Sequence, residues 1–113
     1  MNLDVVKVAL REMFNRFSNN GAVLPKKCDL RFRAETETNL PFDVYWQVVN
    51  TGKDAERANN GLRGQIFPAK SAGLGGLVQH ESTLYRGRHW IECFIVKNGQ
   101  CVARSGEFVV KIA

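Results

Sequence analysis

The sequence predicts a mainly β protein, an antiparallel β-sandwich preceded by one N-terminal α-helix. From residue 27 onward, apolar and polar residues alternate in a series of short segments, as they do in strands that bury one face. Turn residues separate these segments at short intervals, and no long helical pattern lies between them. Apolar residues spaced three and four apart are confined to the first 17 residues.

The N-terminal helix is predicted over residues 3–17, where the apolar side chains fall on one stripe. Residues 19–21, Asn-Asn-Gly, tolerate the left-handed conformation that ends helices, and Pro25 prevents continuation. A helix this short is marginal on its own. We therefore expect residues 1–21 either to dock on the following domain or to end an upstream catalytic part. Residues 25–113 are expected to form the sandwich.

The strand pattern also predicts which side chains face the interior. Segment SAGLGG, residues 71–76, is small and glycine-rich and is predicted to be a flexible loop. A bend is expected near residues 105–106, where Ser-Gly interrupts the last apolar segment. The predicted interior residues are Cys28, Leu30, Phe32, Ala34, Val44, Trp46, Val48, Ile91, Cys93, Ile95, Phe108, Val110 and Ile112.

The order Cys28, Trp46, Cys93 favours an immunoglobulin-like sandwich, in which a buried tryptophan packs against a cysteine pair that joins the sheets. Three cysteines without the close spacing of a zinc site are typical of a reducing compartment. We therefore predict packed thiols rather than a disulfide, and a cytoplasmic location. No apolar run is long enough to cross a bilayer, and the N-terminus lacks the features of a secretory signal.

The composition is that of one soluble domain of 113 residues with a formal net charge of +5. This charge favours anionic partners, but the basic residues are spread along the chain and form no stripe that would bind nucleic acid. No positioned acid, base or nucleophile is evident, so we expect no enzyme activity. Cys93 and His89, four residues apart on a strand, would lie about 13 Å apart and could not act as a local pair.

No metal or other cofactor is predicted, because the cysteines and histidines do not complete a ligand shell. The glycines of residues 73–76 precede a strand rather than a helix, so they do not form a phosphate cradle.

A group of polar and aromatic residues near turns is the candidate ligand site. If these turns meet at one end of the sandwich, an indole could stack on a base and arginines could bind phosphate oxygens. The alternative is that the tryptophan covers the core and the arginines are solvated. The candidate ligand-binding residues are Asn50, Thr51, Arg63, Tyr85, Arg86, Arg88, His89 and Trp90.

Three motifs carry a resemblance to a known family: YWQVVNTG (residues 45–52), GLRG (residues 61–64) and ESTLYRGRHWIECFIVKNGQCVARSGEFVVKI (residues 81–112). In this order they resemble the adenylyl/guanylyl cyclase and SMODS C-terminal sensor domain, over about residues 30–112. The positions that match the pattern are Trp46, Asn50, Gly52, Leu62, Arg63, Gly64, Tyr85, Gly87, His89 and Trp90.

The resemblance implies a non-catalytic regulatory domain of a bacterial antiviral enzyme that signals through cyclic nucleotides. Its expected partners are an upstream cyclase or nucleotidyltransferase and a nucleotide, or another small anionic or phage-derived ligand. The alternative is a protein-interaction or dimerisation module without a small-molecule pocket. A homodimer of this kind would use the helix stripe formed by Val6, Leu10, Met13 and Phe17.

Overall fold

The computed structural model describes the backbone of residues 4–12 and 15–113 and the side chains of residues 18–113. This part of the chain contains nine β-strands and two short helical segments. The first elements are β1 (Asp4–Glu12), β2 (Asn15–Phe17), β3 (Asp29–Thr36), β4 (Asp43–Val49), helix α1 (Lys53–Arg57) and β5 (Arg63–Pro68). A 3₁₀ turn (Gly73–Leu77) then leads into β6 (Val78–Ser82), β7 (Gly87–Lys97), β8 (Gln100–Arg104) and β9 (Phe108–Ile112).

The strands form two sheets that are joined through β1. The first sheet has the order β5-β4-β7-β8, and β9 pairs with the part of β7 that β8 leaves free. The second sheet has the order β2-β1-β3-β6. Asp4 and Val5 pair in parallel with β8, whereas residues 6–11 pair antiparallel with β3. The prediction of a mainly β, sandwich-like structure is confirmed, and the immunoglobulin-like arrangement stays a prediction.

The predicted N-terminal helix is wrong for residues 4–12 and 15–17, which form β1 and β2. The segment satisfies its backbone groups by pairing with strands on both sides, and these long-range partners are invisible in a local hydrophobic period. Its valines also favour an extended backbone, because β-branched side chains fit a pleated sheet. Leu3, Met13 and Phe14 of the predicted helix lie outside the described residues.

The interior follows the alternation that the sequence predicts. Every predicted interior residue from Leu30 onward is buried, and Trp46 has no exposed surface. Val109 is buried as well, although alternation with the interior residues Phe108 and Val110 would turn it outward, and Cys28 is half-buried just before β3 begins. As predicted, no disulfide joins Cys28, Cys93 or Cys101, all of which lie in the described part of the chain.

The bend predicted near residues 105–106 is confirmed, since β8 ends at Arg104 and β9 begins at Phe108. The carboxylate of Glu92, almost fully buried, fixes this bend. It accepts hydrogen bonds from Nε (2.8 Å) and Nη2 (3.0 Å) of Arg104 and from the backbone N–H of Gly106 (3.0 Å). These bonds raise the pKa of the Arg104 guanidinium above its ordinary value and satisfy a carboxylate that would otherwise be costly to bury.

The segment predicted as a flexible loop, residues 71–76, instead enters the 3₁₀ turn and is anchored to the core. The indole Nε1 of Trp46 donates a hydrogen bond of 2.8 Å to the carbonyl of Gly76. A Cβ at Gly76 would lie 2.6 Å from the Ser71 carbonyl oxygen and 3.0 Å from the Cβ of Val44, so only glycine allows this close packing. The segment lies near the turn between β7 and β8, at the end of the sandwich remote from the predicted ligand site.

The two sheets are closed on one side and open on the other. On the closed side, β1 pairs with both β8 and β3. On the open side, β5 and β6 are the last strands of their sheets in the described part of the chain. An ion pair between Arg63 of β5 and Glu81 of β6 bridges this open side. Space between the sheets is therefore accessible beside this pair.

The buried thiol of Cys93 makes stability depend on pH in the alkaline range. Burial, and secondarily the Glu92 carboxylate, raises the pKa of Cys93 from its ordinary value of 9.0 to about 12. Between these values the unfolded chain releases a proton that the folded chain keeps, so stability falls as pH rises. We expect the free energy of unfolding to drop by about 1 kcal/mol more between pH 9 and 10 in the wild type than in Cys93→Ala.

Urea denaturation under reducing conditions, carried out at pH 8, 9 and 10 on both proteins, measures this difference. Other titrating groups are common to the two chains and cancel. Parallel stability curves for wild type and Cys93→Ala would contradict the prediction.

Candidate ligand-binding cavity

Two loops meet at the end of the sandwich where β4 ends and β7 begins. Val49 pairs with Trp90, so the chain leaving β4 lies beside the chain entering β7. Gly52 and Gly87 have φ angles of 96° and 141°, which other residues rarely adopt. A Cβ at Gly87 would lie 2.6 Å from the Thr51 carbonyl oxygen, closer than real contacts allow. The glycines of the NTG and YRGRH motifs therefore permit backbone to pack on backbone.

The buried imidazole of His89 ties these two loops together. Its Nδ1 accepts a hydrogen bond of 2.9 Å from the backbone N–H of Thr51. Its Nε2 lies 2.7 Å from the carbonyl oxygen of Tyr85 and, because a carbonyl only accepts, must carry the proton. The hydroxyl of Thr51 donates in turn to the Arg88 carbonyl. His89 is thus a neutral Nε2–H tautomer with both nitrogens engaged.

The GLRG segment is held against β4 by amide side chains. Asn50 donates from Nδ2 to the Gly61 carbonyl (2.7 Å), and Gln47 donates from Nε2 to the Gly64 carbonyl (2.9 Å). The pairing of β4 with β5 shifts register between Gln47 and Val49, and Arg63 takes a left-handed φ of 55°. Such irregularities change the direction in which side chains project from a strand. Here the irregularity directs Arg63 across the open side to Glu81.

Between the sheets at this end lies a cavity of about 540 Å³, which we call the end cavity. Its wall is mainly apolar and comes from both sheets: Leu30, Phe32, Val48, Leu84, Ile91, Val110 and Ile112. Its polar lining residues are Asp29, Asn50, Arg63, His80, Glu81, Ser82, Tyr85, His89 and Trp90. A space of this size falls within the range of small-molecule sites.

The structure brings five of the eight predicted site residues to the end cavity. These are Asn50, Arg63, Tyr85, His89 and Trp90. The other three do not line it.

Of these three, Thr51 is held by His89, while Arg86, on the loop that enters β7, and Arg88, at the start of β7, are exposed nearby. Trp90 contributes to the rim of the end cavity. Its neighbours His89 and Ile91 face inward, so strand alternation places the indole of Trp90 on the opposite face of the sheet.

Glu81 and Asp29 are charged lining residues that the sequence does not predict, and Glu81 has the more inward position. It pairs in register with the interior residue Leu30, so it faces the other sheet from an edge strand. One carboxylate oxygen accepts from Arg63 and the other from Nε2 of Gln79 at 2.6 Å. In the sequence, Glu81 stands at a position that alternation turns inward, within a segment whose strand pattern is weak. An inward-pointing charge on an edge strand also discourages pairing of that edge with another sheet.

A second ionic contact fixes the outer surface of this end. Asp54, in α1, accepts from Nζ of Lys26 at 2.7 Å and from the backbone N–H of Arg86 at 3.2 Å. The Lys26 hydrogen bond, followed by that of Arg86, holds the pKa of the Asp54 carboxyl below its ordinary value. Helix α1 is therefore connected both to the Arg86 loop and to the segment that leads into β3.

Neither His89 nor Cys93 is free to act as a reactive group. Within the described residues, no group of three or more histidine, cysteine, aspartate and glutamate side chains could hold a metal ion. His89 uses both ring nitrogens in hydrogen bonds to the backbone, and burial keeps Cys93 protonated. Apolar walls with a few polar groups at the mouth suit a small organic ligand.

These features define a β-sandwich domain with a ligand-sized cavity at the end where its sequence motifs meet. The sequence model of the adenylyl/guanylyl and SMODS C-terminal sensor domain matches residues 1–113. The chain therefore belongs to this family, and the resemblance carried by the motifs is confirmed. A comparison with curated proteins gives no match. In the described part of the chain, neither helical segment has the length and apolar character needed to span a bilayer.

Replacing Gly87 tests the close packing of the two loops. We expect Gly87→Ala to lower the free energy of unfolding by about 3 kcal/mol, because it combines an unfavourable φ with a backbone clash. Gly64→Ala is the matched control: its φ of 107° is also unfavourable, but a Cβ there would meet nothing within 4 Å. It should cost only about 1 kcal/mol. Equal losses in urea denaturation would show that the approach of Thr51 to Gly87 is unimportant.

Proposed function

We propose that this domain is a non-catalytic sensor that binds a small ligand in the end cavity and reports its presence to an attached enzyme. The observation that supports it best is the end cavity itself, framed by the three motifs in a chain of a sensor-domain family. The attached enzyme is a cyclase or nucleotidyltransferase of a bacterial antiviral pathway in the cytoplasm. The domain contributes recognition and the enzyme contributes chemistry.

The proposed ligand is a nucleotide or a phage-derived molecule of similar size. Its ring enters the end cavity beside Asn50 and Tyr85, and any phosphate groups remain outside. Arg86, on the adjoining loop, and Arg88, at the start of β7, are exposed, and their forked guanidinium groups can bind phosphate oxygens. Arg63, by contrast, is engaged by Glu81 and lies over the ring of Phe67, 5.4 Å from its centroid.

Occupancy is reported through backbone contacts around the cavity. His89 lines the cavity and bonds to Thr51, which lies two residues before α1. Ile112 also lines the cavity, and its strand pairs with Leu24, whose N–H donates to the Lys111 carbonyl at 2.8 Å. A ligand that binds one conformation of these contacts more tightly than another shifts the population of the domain toward that conformation. Residues 71–76 lie at the opposite end of the sandwich and take no part in this route.

Calorimetric titration with mono-, di- and cyclic nucleotides tests the proposal. Leu84 lines the end cavity and is 56% exposed, so Leu84→Trp fills the mouth without overpacking the core. Leu74, 63% exposed at the opposite end, provides the matched control Leu74→Trp. We expect Leu84→Trp to weaken binding at least about tenfold, a loss of roughly 1.4 kcal/mol, and Leu74→Trp to leave it unchanged.

A second function, protein interaction through a sheet edge, is favoured by β5. This strand has no partner on its outer side in the described part of the chain, and Leu62 and Ile66 are 46% and 55% exposed there. No binding of any nucleotide, together with self-association in sedimentation, would contradict the sensor proposal and favour this one. The dimer stripe expected on a helix falls on β1 and β2 or on undescribed residues.

A further inference from the structure

The wall of the end cavity favours an uncharged occupant. Apolar side chains of both sheets form most of it, with Leu30 and Phe32 on one side and Ile91 and Val110 on the other. Contact with such a wall stabilises an apolar ring because it removes apolar surface from water. A phosphate group placed there would lose its hydration without gaining donors of equal strength.

The charges at the mouth also oppose a polyanion. Arg63 contributes one positive charge, while Asp29 and Glu81 contribute one negative charge each, so the lining residues carry −1 with both histidines neutral. This sign is opposite to the net +5 of the whole chain. A phosphate that captured Arg63 would leave the Glu81 carboxylate, only 17% exposed, without its ionic partner.

The mouth does offer hydrogen-bonding groups that the fold leaves unused. In the described part of the chain, neither the phenolic hydroxyl of Tyr85 nor the side-chain carbonyl of Asn50 takes part in a hydrogen bond, and both residues line the cavity. The hydroxyl of Tyr85 can donate or accept a hydrogen bond, and the side-chain carbonyl of Asn50 can accept one. Together they match the mixed donor and acceptor edge of a heteroaromatic ring.

We infer that the end cavity binds an uncharged heteroaromatic ring, such as the base of a nucleoside, through apolar contact and through Tyr85 and Asn50, and that it does not itself bind phosphate. This inference rests on the proposed function and specifies which part of the ligand is recognised. Phosphates affect affinity only through exposed arginines outside the cavity, where salt screens them.

Calorimetric titration of the whole chain compares adenosine, guanosine, cytidine and uridine with their triphosphates and with inorganic tripolyphosphate. At moderate salt, we expect at least one nucleoside to bind within about threefold of its triphosphate, and tripolyphosphate not to compete with it. Binding of a triphosphate more than tenfold tighter than its nucleoside, or competition by tripolyphosphate, would overturn the inference while leaving the proposed function standing. Binding of none of these compounds would overturn the inference as well, and if cyclic nucleotides also fail to bind and the chain self-associates, the proposed function falls with it.

The two tyrosines of the chain supply a matched pair of variants. Tyr85→Phe removes only a hydroxyl that has no partner in the described fold, so the variant should fold normally. It should bind the nucleoside about fivefold more weakly, as expected for one lost hydrogen bond. Tyr45 lies in β4 but does not line the cavity, so Tyr45→Phe should leave the affinity for the nucleoside unchanged. Equal affinities in the two variants would refute the assigned role of Tyr85.

Discussion

The interaction on which this end of the molecule depends is the bridge from His89 to the backbone on both sides. One ring nitrogen accepts from Thr51 and the other donates to Tyr85, so a single imidazole fixes the chain leaving β4 and the chain entering β7. Such a bridge requires one tautomer and a neutral ring. Because the two loops are glycine-bearing and would otherwise be mobile, the bridge holds the mouth of the end cavity in shape.

The cavity exists because the two sheets close on one side only. Pairing of β1 with β3 and β8 seals one side, and the opposite side is spanned by the Arg63–Glu81 ion pair rather than by a further strand. Trp46 and Cys93 are fully buried in the interior, whereas Ile91 and Val110 line the accessible end cavity. Rigid packing at one end and an accessible cavity at the other suit a domain that recognises a ligand without unfolding.

Strand positions and interior residues could be predicted from the sequence, because a period of two records which face each strand buries. The approach of five residues that line the end cavity also followed from their place near turns. Long-range effects could not be predicted: β1 became a strand through its pairing with β3 and β8, and Gly76 was ordered by Trp46. The net charge misled as well, since Glu81 offsets the charge of Arg63 and Asp29 leaves the lining residues slightly negative.

Amide hydrogen exchange at Thr51, followed by nuclear magnetic resonance, tests the His89 bridge most directly. Thr51 lies two residues beyond the end of β4, so without the bridge its N–H would exchange as fast as that of the exposed turn residue Gly99. With the bridge, we expect protection close to that of β4 amides, lost in His89→Ala. Fast exchange of Thr51 in the wild type would contradict the central role of this histidine.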